Sequence, residues 1–186
     1  MTKPTSRLHQ DARALLDRVM RIHAAEDWGD GLNPAQTAAL LYLARANRFS
    51  RSPSHVAEYL SSTRGTVSQT LKALLRKGLI QEQRSERDKR SISYDVTQAG
   101  QAMLQGQTGS HNALDGLSQA DLKQLIGALG TLARNALKAR GGKSFGVCRT
   151  CKYHRRTKDG PYCSLLNEAL LPAEADEICH EHAEAA

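Results

Sequence analysis

A chain of 186 residues with 26 Lys and Arg against 19 Asp and Glu carries a formal charge of +7, and 4% of its residues are aromatic. Such a length holds one aliphatic core and a small appendage, and its longest apolar run, Ala38 to Ala44, falls far short of the about 18 residues a bilayer crossing takes. The polar first ten residues lack the apolar segment of a secretory signal, so a cytoplasmic protein with reduced thiols is expected.

The elements can be read in chain order. Leu8, Ala12, Leu15, Leu16, Val19 and Ile22 recur at helical spacing and predict a first helix over 7–25. Asn33 followed by Pro34 is a helix start, since proline at the first helical position gives up an N–H that has no partner anyway; this helix runs to about Ala46. The same device at Ser52-Pro53 opens a short helix through Val56, Ala57 and Leu60. After a tight turn, a helix from Ser62 or Thr63 carries Val67, Leu71, Leu74 and Leu75 on one side and Arg64, Thr66, Gln69 and Lys72 on the other. It ends at Lys77-Gly78, with Arg76 and Lys77 placed to offset the helix dipole.

Leu79 to Arg84 and the alternating Ile92, Tyr94 and Val96 then predict a hairpin whose tip is Ser85 to Arg90. Thr97 caps a further helix. Ser118-Gln119-Ala120-Asp121 starts a long one striped by Leu125, Ile126, Leu129, Leu132, Ala133, Ala136 and Leu137, which Gly141-Gly142 ends.

Residues 45 to 90 hold eleven Lys or Arg against four Asp or Glu, a local excess equal to the charge of the whole chain. A surface that meets a polyanion has this footprint. Two short helices, a tight turn and a hairpin make a winged helix-turn-helix, whose second helix enters the major groove of DNA. Over roughly residues 10 to 140 the chain resembles the MarR family of bacterial transcription regulators. The resemblance is carried by Thr63-Arg64-Gly65-Thr66-Val67-Ser68-Gln69, by Lys77-Gly78-Leu79-Ile80, by Arg87-Asp88-Lys89-Arg90 and by Val96-Thr97-Gln98-Ala99-Gly100.

The resemblance implies a homodimer held by the first and last helices that reads a pseudo-palindromic operator in double-stranded DNA. It also implies that Asp88 orients Arg90 for the minor groove. The candidate DNA-binding residues are Thr63, Arg64, Thr66, Ser68, Gln69, Arg87, Asp88, Lys89 and Arg90. Of these, Gln69 suits an adenine edge.

All four cysteines, Cys148, Cys151, Cys163 and Cys179, fall in the last 39 residues as C-x2-C-x11-C-x15-C. This pattern predicts one four-thiolate metal centre with no open position, which argues against an enzyme. Zinc is the commoner structural ion, whereas the wide, irregular spacing suits an iron–sulfur cluster, 4Fe-4S or 2Fe-2S; both stay open. His154, His180 and His182 are read as surface or supporting groups. Tyr162, Leu165, Leu166, Leu170, Leu171 and Ile178 are expected to pack a short helix over the metal.

The expected fold is mainly α with a small β-hairpin wing. A dimerisation helix (1–32) precedes the winged helix-turn-helix (33–97), and dimerisation helices (98–140), a linker (141–147) and the metal-held tail (148–186) follow. The expected function is transcription regulation, as a repressor that senses metal, iron–sulfur or redox state through the tail, with the last dimer helix as the coupling route. The alternatives are a regulator answering a small phenolic or lipophilic effector with a purely structural tail, and a protein-interaction module. Thiol sensing near the N-terminus is excluded, because residues 1 to 147 contain no cysteine.

Overall fold

A computed structural model describes residues 6–26, 31–84, 92–106 and 111–185. The chain is mainly helical with a small antiparallel wing. Its elements are α1 (Arg7–Glu26), α2 (Pro34–Arg45), α3 (Pro53–Tyr59), α4 (Arg64–Arg76), β1 (Ile80–Arg84), β2 (Ile92–Val96), α5 (Gln98–Gly106), α6 (His111–Asp115) and α7 (Gln119–Arg140), followed in the tail by β3 (His154–Thr157), β4 (Gly160–Cys163) and β5 (Glu168–Ala169). No helix of the described residues is long and apolar enough to cross a membrane.

Local signals set the helix starts. Asn33 and Gln36 form a reciprocal capping box on α2, while Ser52, Thr63 and Ser118 accept the N–H of His55, Thr66 and Asp121 on α3, α4 and α7. Between α3 and α4 the chain turns through Ser61 at φ 49°. A non-glycine residue tolerates that conformation here because the turn is pinned by bonds from Ser61 N–H to Glu58 O (3.1 Å) and from Ser62 N–H to Ala57 O (3.0 Å).

Ala39, Leu40, Tyr42 and Leu43 of α2 pack with Val56 and Ala57 of α3, Val67, Leu71 and Leu74 of α4, and Leu79, Ile80 and Tyr94 at the base of the wing. These residues form the core that fixes α4. The wing strands pair from Ile80 opposite Val96 to Arg84 opposite Ile92. By contrast, α1 and α7 leave Leu8, Leu15, Val19, Met20 and Ile22, and Ile126, Leu129 and Leu132, exposed.

The tail differs from expectation in two ways. Its apolar residues build no helix over the cysteines; instead β3, β4 and β5 form a three-stranded sheet in that order, with Leu170 buried and Leu165 and Leu171 exposed. Segments of four, four and two residues are too short to show a period. Residues 141–147 are also more than a tether, because Phe145 enters the main core and meets Tyr42 and Tyr59 edge-on at 6.1 and 5.4 Å between ring centroids. Ile178 joins the same core from the far end of the tail. Its N–H donates to Arg45 O (2.8 Å), and its carbonyl accepts Asn47 N–H (2.9 Å).

Charged groups reinforce that seam. Arg48 donates to the buried carboxylate of Glu174 at 2.5 Å and to Ala169 O at 2.9 Å. Glu174 also accepts Leu171 N–H at 2.7 Å, so the burial of its charge is compensated from both sides.

Gly100 lies where α5 crosses the base of the wing: a Cβ there would stand 2.2 Å from Leu79 O and 2.8 Å from a Val96 methyl. The same crossing is closed by Thr97, whose N–H donates to Leu79 O and whose hydroxyl donates to Gly78 O. Gly100→Ala is therefore expected to cost about 1–3 kcal/mol. Urea unfolding of the variant beside the parent checks this, with Gly127→Ala, where a Cβ meets nothing within 4 Å, as the control.

Candidate nucleic-acid interface and cysteine site

The outward face of α4 is built by its own amphipathicity. With Val67, Leu71 and Leu74 turned inward, Arg64, Thr66, Gln69, Lys72 and Arg76 remain exposed and Ser68 is half-buried. Gln69, Lys72 and Arg76 follow one another at helical spacing and share a face. No acidic residue occupies the first turn. The positive end of the helix dipole and Arg64 therefore act together on any anion placed there.

Thr63 and Thr66 are partly spent on the fold. The Thr63 hydroxyl caps Thr66 N–H at 3.1 Å and lies 2.8 Å from the Thr66 hydroxyl. Lys72 shares this exposed polar side with the predicted contacts. Arg76 joins it on that face and is also the basic residue of the last turn.

The wing residues Arg87, Asp88, Lys89 and Arg90 lie outside the described residues. The base of the wing is described, and there Arg51 is the central group. Its main-chain carbonyl accepts Tyr94 N–H at 3.1 Å. Its guanidinium donates to Ala46 O and to Asp95 Oδ1, both at 2.7 Å, and stands 3.8 Å from Glu177 Oε2 in the tail.

In the tail, Cys148, Cys163 and Cys179 are buried, Cys151 is half-buried, and all four are free thiols. Short main-chain bonds place them: Cys148 N–H to Glu177 O (3.0 Å), Cys151 N–H to Cys148 O (2.9 Å) and Cys179 N–H to Gly146 O (2.9 Å). Cys163 sits opposite His154 in the β3–β4 pair. Burial pushes the Cys148 thiol up to about 12, and the nearby Cys179, Cys163 and Cys151 add to the shift as like charges.

Around Cys179, burial likewise raises the pKa, whereas hydrogen bonding by the Asn47 side chain and the Glu181 backbone lowers it. The amide of Ala183 lies 3.5 Å from Cys151 Sγ. Among the described residues no three His, Cys, Asp or Glu donors converge closely enough to hold one ion. The Nε2 of His154 is buried without a hydrogen-bond partner.

His180, next to Cys179, stacks on His55 of α3 with ring centroids 3.6 Å apart. Its N–H donates to the Ser50 hydroxyl at 3.0 Å. His182 packs over Gly146, where a Cβ would stand 2.4 Å from its ring, and lies 2.9 Å from the Thr150 hydroxyl. These histidines thus join the tail to the body.

A short helix, a pinned turn, a second helix with an exposed polar face and an antiparallel hairpin define a winged helix-turn-helix. Residues 30–91 match the model of the MarR family. Among solved structures, FabT of Streptococcus pneumoniae, crystallised in complex with DNA, is 23% identical over 72% of this chain and 97% of its own, with a TM-score of 0.58. A probable transcriptional regulator from Pseudomonas aeruginosa is 26% identical over 68% of this chain and 99% of its own, with a TM-score of 0.53. More than a quarter of the present chain has no counterpart in either alignment. No curated protein matches significantly.

The His55–His180 stack gives a pH prediction. Burial and the neighbouring His180 lower the His55 pKa from 6.5 to about 4, and His180 is lowered as well, mainly by burial. The folded state therefore favours neutral rings. Stability from His55 is complete above pH 6.5 and is lost as the pH falls toward 4. His55→Gln should lose less stability across that window than the parent does, as measured by denaturant unfolding at a series of pH values.

Proposed function

We propose that this chain is a DNA-binding transcription regulator, a repressor that occupies a pseudo-palindromic operator as a homodimer. The observation that carries the reading is the exposed cationic face of α4 held out on a winged helix-turn-helix. The N-terminal turn of α4, with Arg64, Thr66 and Gln69, meets the base edges, while Lys72 and Arg76 neutralise flanking phosphates. Arg87, Asp88, Lys89 and Arg90 serve the adjoining minor groove, where an arginine oriented by a carboxylate loses little freedom on entry. DNA in the crystal structure of FabT is in keeping with this assignment. MarR-family proteins are transcription regulators rather than enzymes.

The dimer reading rests on the uncovered apolar faces. Leu8, Leu15, Val19, Met20 and Ile22 on α1 are each at least half exposed, and Ile126, Leu129 and Leu132 line one side of α7. A second copy of the same two helices covers both, and it supplies the two-fold axis that a palindromic site requires.

A second proposal concerns the tail: Cys148, Cys151, Cys163 and Cys179 hold one metal centre. It is supported by three buried thiols, by the like-charge effect of all three other cysteines on Cys148, and by the amide near Cys151 Sγ. A tail with so few buried apolar residues gains the stability it lacks from metal bonds. Zinc, with bonds of about 2.3 Å, sets its sulfurs about 3.8 Å apart. An iron–sulfur cluster is larger and needs less inward movement of the thiols.

Two experiments test these readings. Substituting aspartate at Ile126, Leu129 and Leu132 together should give a monomer by sedimentation and abolish tight binding to a duplex selected in vitro. The parent should bind that duplex with steep salt dependence, and Lys72→Ala should lower the slope by about 1; a parent indifferent to duplex DNA at low salt defeats the functional assignment. Protein purified without air should contain either zinc or iron with sulfide, and the double variant Cys148→Ser, Cys151→Ser should contain neither. A brown, visible-absorbing sample identifies the cluster, a colourless zinc-bearing one identifies zinc, and a parent without metal removes the centre.

A further inference from the structure

We propose that the cysteine centre sets the position of the wing, and with it DNA affinity, through Arg51, a positioning residue clamped between tail and wing, and that α7 is not the route. The inference rests on the reading of the tail as a metal centre. It starts from Glu177, which is flanked by two of the cysteines. Its carbonyl accepts Cys148 N–H at 3.0 Å, and Cys179 follows two residues later. A metal that draws Cys148 and Cys179 onto one centre therefore fixes Glu177.

Among the described residues Glu177 Oε2 is buried without a hydrogen-bond partner, and it stands 3.8 Å from the Arg51 guanidinium. A hydrogen bond of about 2.8 Å is roughly one ångström away. A small movement of the cysteine segment therefore makes or breaks it, and the buried Oε2 of this half-buried carboxylate gains a partner by making it.

Arg51 is well placed to pass such a movement on. Its guanidinium also holds Asp95, and its carbonyl holds Tyr94 N–H, so both main-chain and side-chain atoms of Arg51 bind β2. A parallel contact secures the same turn, because the Ser50 hydroxyl accepts the main-chain N–H of His180, the residue after Cys179, at 3.0 Å, and Asn47 and Ser50 are themselves buried. The Ser50 hydroxyl donates to Asn47 Oδ1 at 2.6 Å, and its carbonyl accepts the Tyr42 hydroxyl at 2.6 Å. Residues 47–51 thus form a rigid bridge from the cysteines to the wing.

The link to α7 is weaker. Arg134 and Glu184 stand 3.8 Å apart and both are more than half exposed, a geometry that contributes little. A wing held in place before it meets DNA loses less freedom on binding, so loading the centre should tighten the complex.

The test uses the full chain, stripped of metal by a chelator under argon and then reloaded with zinc or with ferrous iron and sulfide, against a duplex selected in vitro with the loaded parent. Loading should tighten binding by about tenfold and slow amide exchange at Ile92 to Val96. Arg51→Gln, with parental metal content, should lose both responses. Glu177→Gln removes only the tail half of the contact and should do the same, which covers the case in which Arg51→Gln fails to fold.

A parent that takes up metal fully and shows neither response overturns the relay alone, as do variants that keep the whole response. A parent that takes up no metal, as established by metal analysis, overturns the underlying reading and the relay with it.

Discussion

The main chain at Ile178 is hydrogen-bonded on both sides to the end of α2, and its side chain lies in the same apolar core as Leu40, Leu43 and Leu74. That short splice converts a cysteine-rich appendage into part of the winged-helix body. Once it is made, Glu174 comes within reach of Arg48, Glu177 within reach of Arg51 and His180 onto the ring of His55. Each of these contacts joins positions more than a hundred residues apart in sequence. All of them fall on residues 45–55, the stretch that joins α2 to α3. The body thus has two faces: α4 with its cations turned outward, and the α2–α3 turn turned toward the thiols.

Charge is distributed to match. On α4 the cations are exposed, where long-range attraction to a polyanion costs no desolvation. At the seam the cations Arg48 and Arg51 are partly withdrawn from solvent and answered by Glu174, Asp95 and Glu177, so they contribute structure rather than attraction. The strong basic excess of residues 45–90 therefore divides into two functions that net charge alone does not separate.

The helices of the body were legible in the sequence because their start signals are local: Asn33, Ser52, Thr63 and Ser118 each cap a helix within three residues of themselves. The hairpin was legible for the same reason, through the alternation around Tyr94. The cationic face of α4 can be read from its apolar opposite side. What escaped was non-local. Phe145 sits among glycine, lysine and serine and carries no periodic mark, yet it fills a gap beside Tyr42 and Tyr59. The expected helix in the tail does not form, because residues 160–163 and 168–169 pair as strands, and that pairing is set by neighbours that no local spacing marks. Arg51 looked like one more basic residue, since nothing near it in sequence reveals Asp95 or Glu177.

The insertion of Phe145 also has an evolutionary consequence. A descendant that shed its last forty-odd residues would uncover Tyr42 and Tyr59 and strand Asn47 and Ser50 without their partners, so loss of the appendage would demand simultaneous substitutions in the body. Such a ratchet preserves the two-part architecture against deletion whatever advantage the appendage confers.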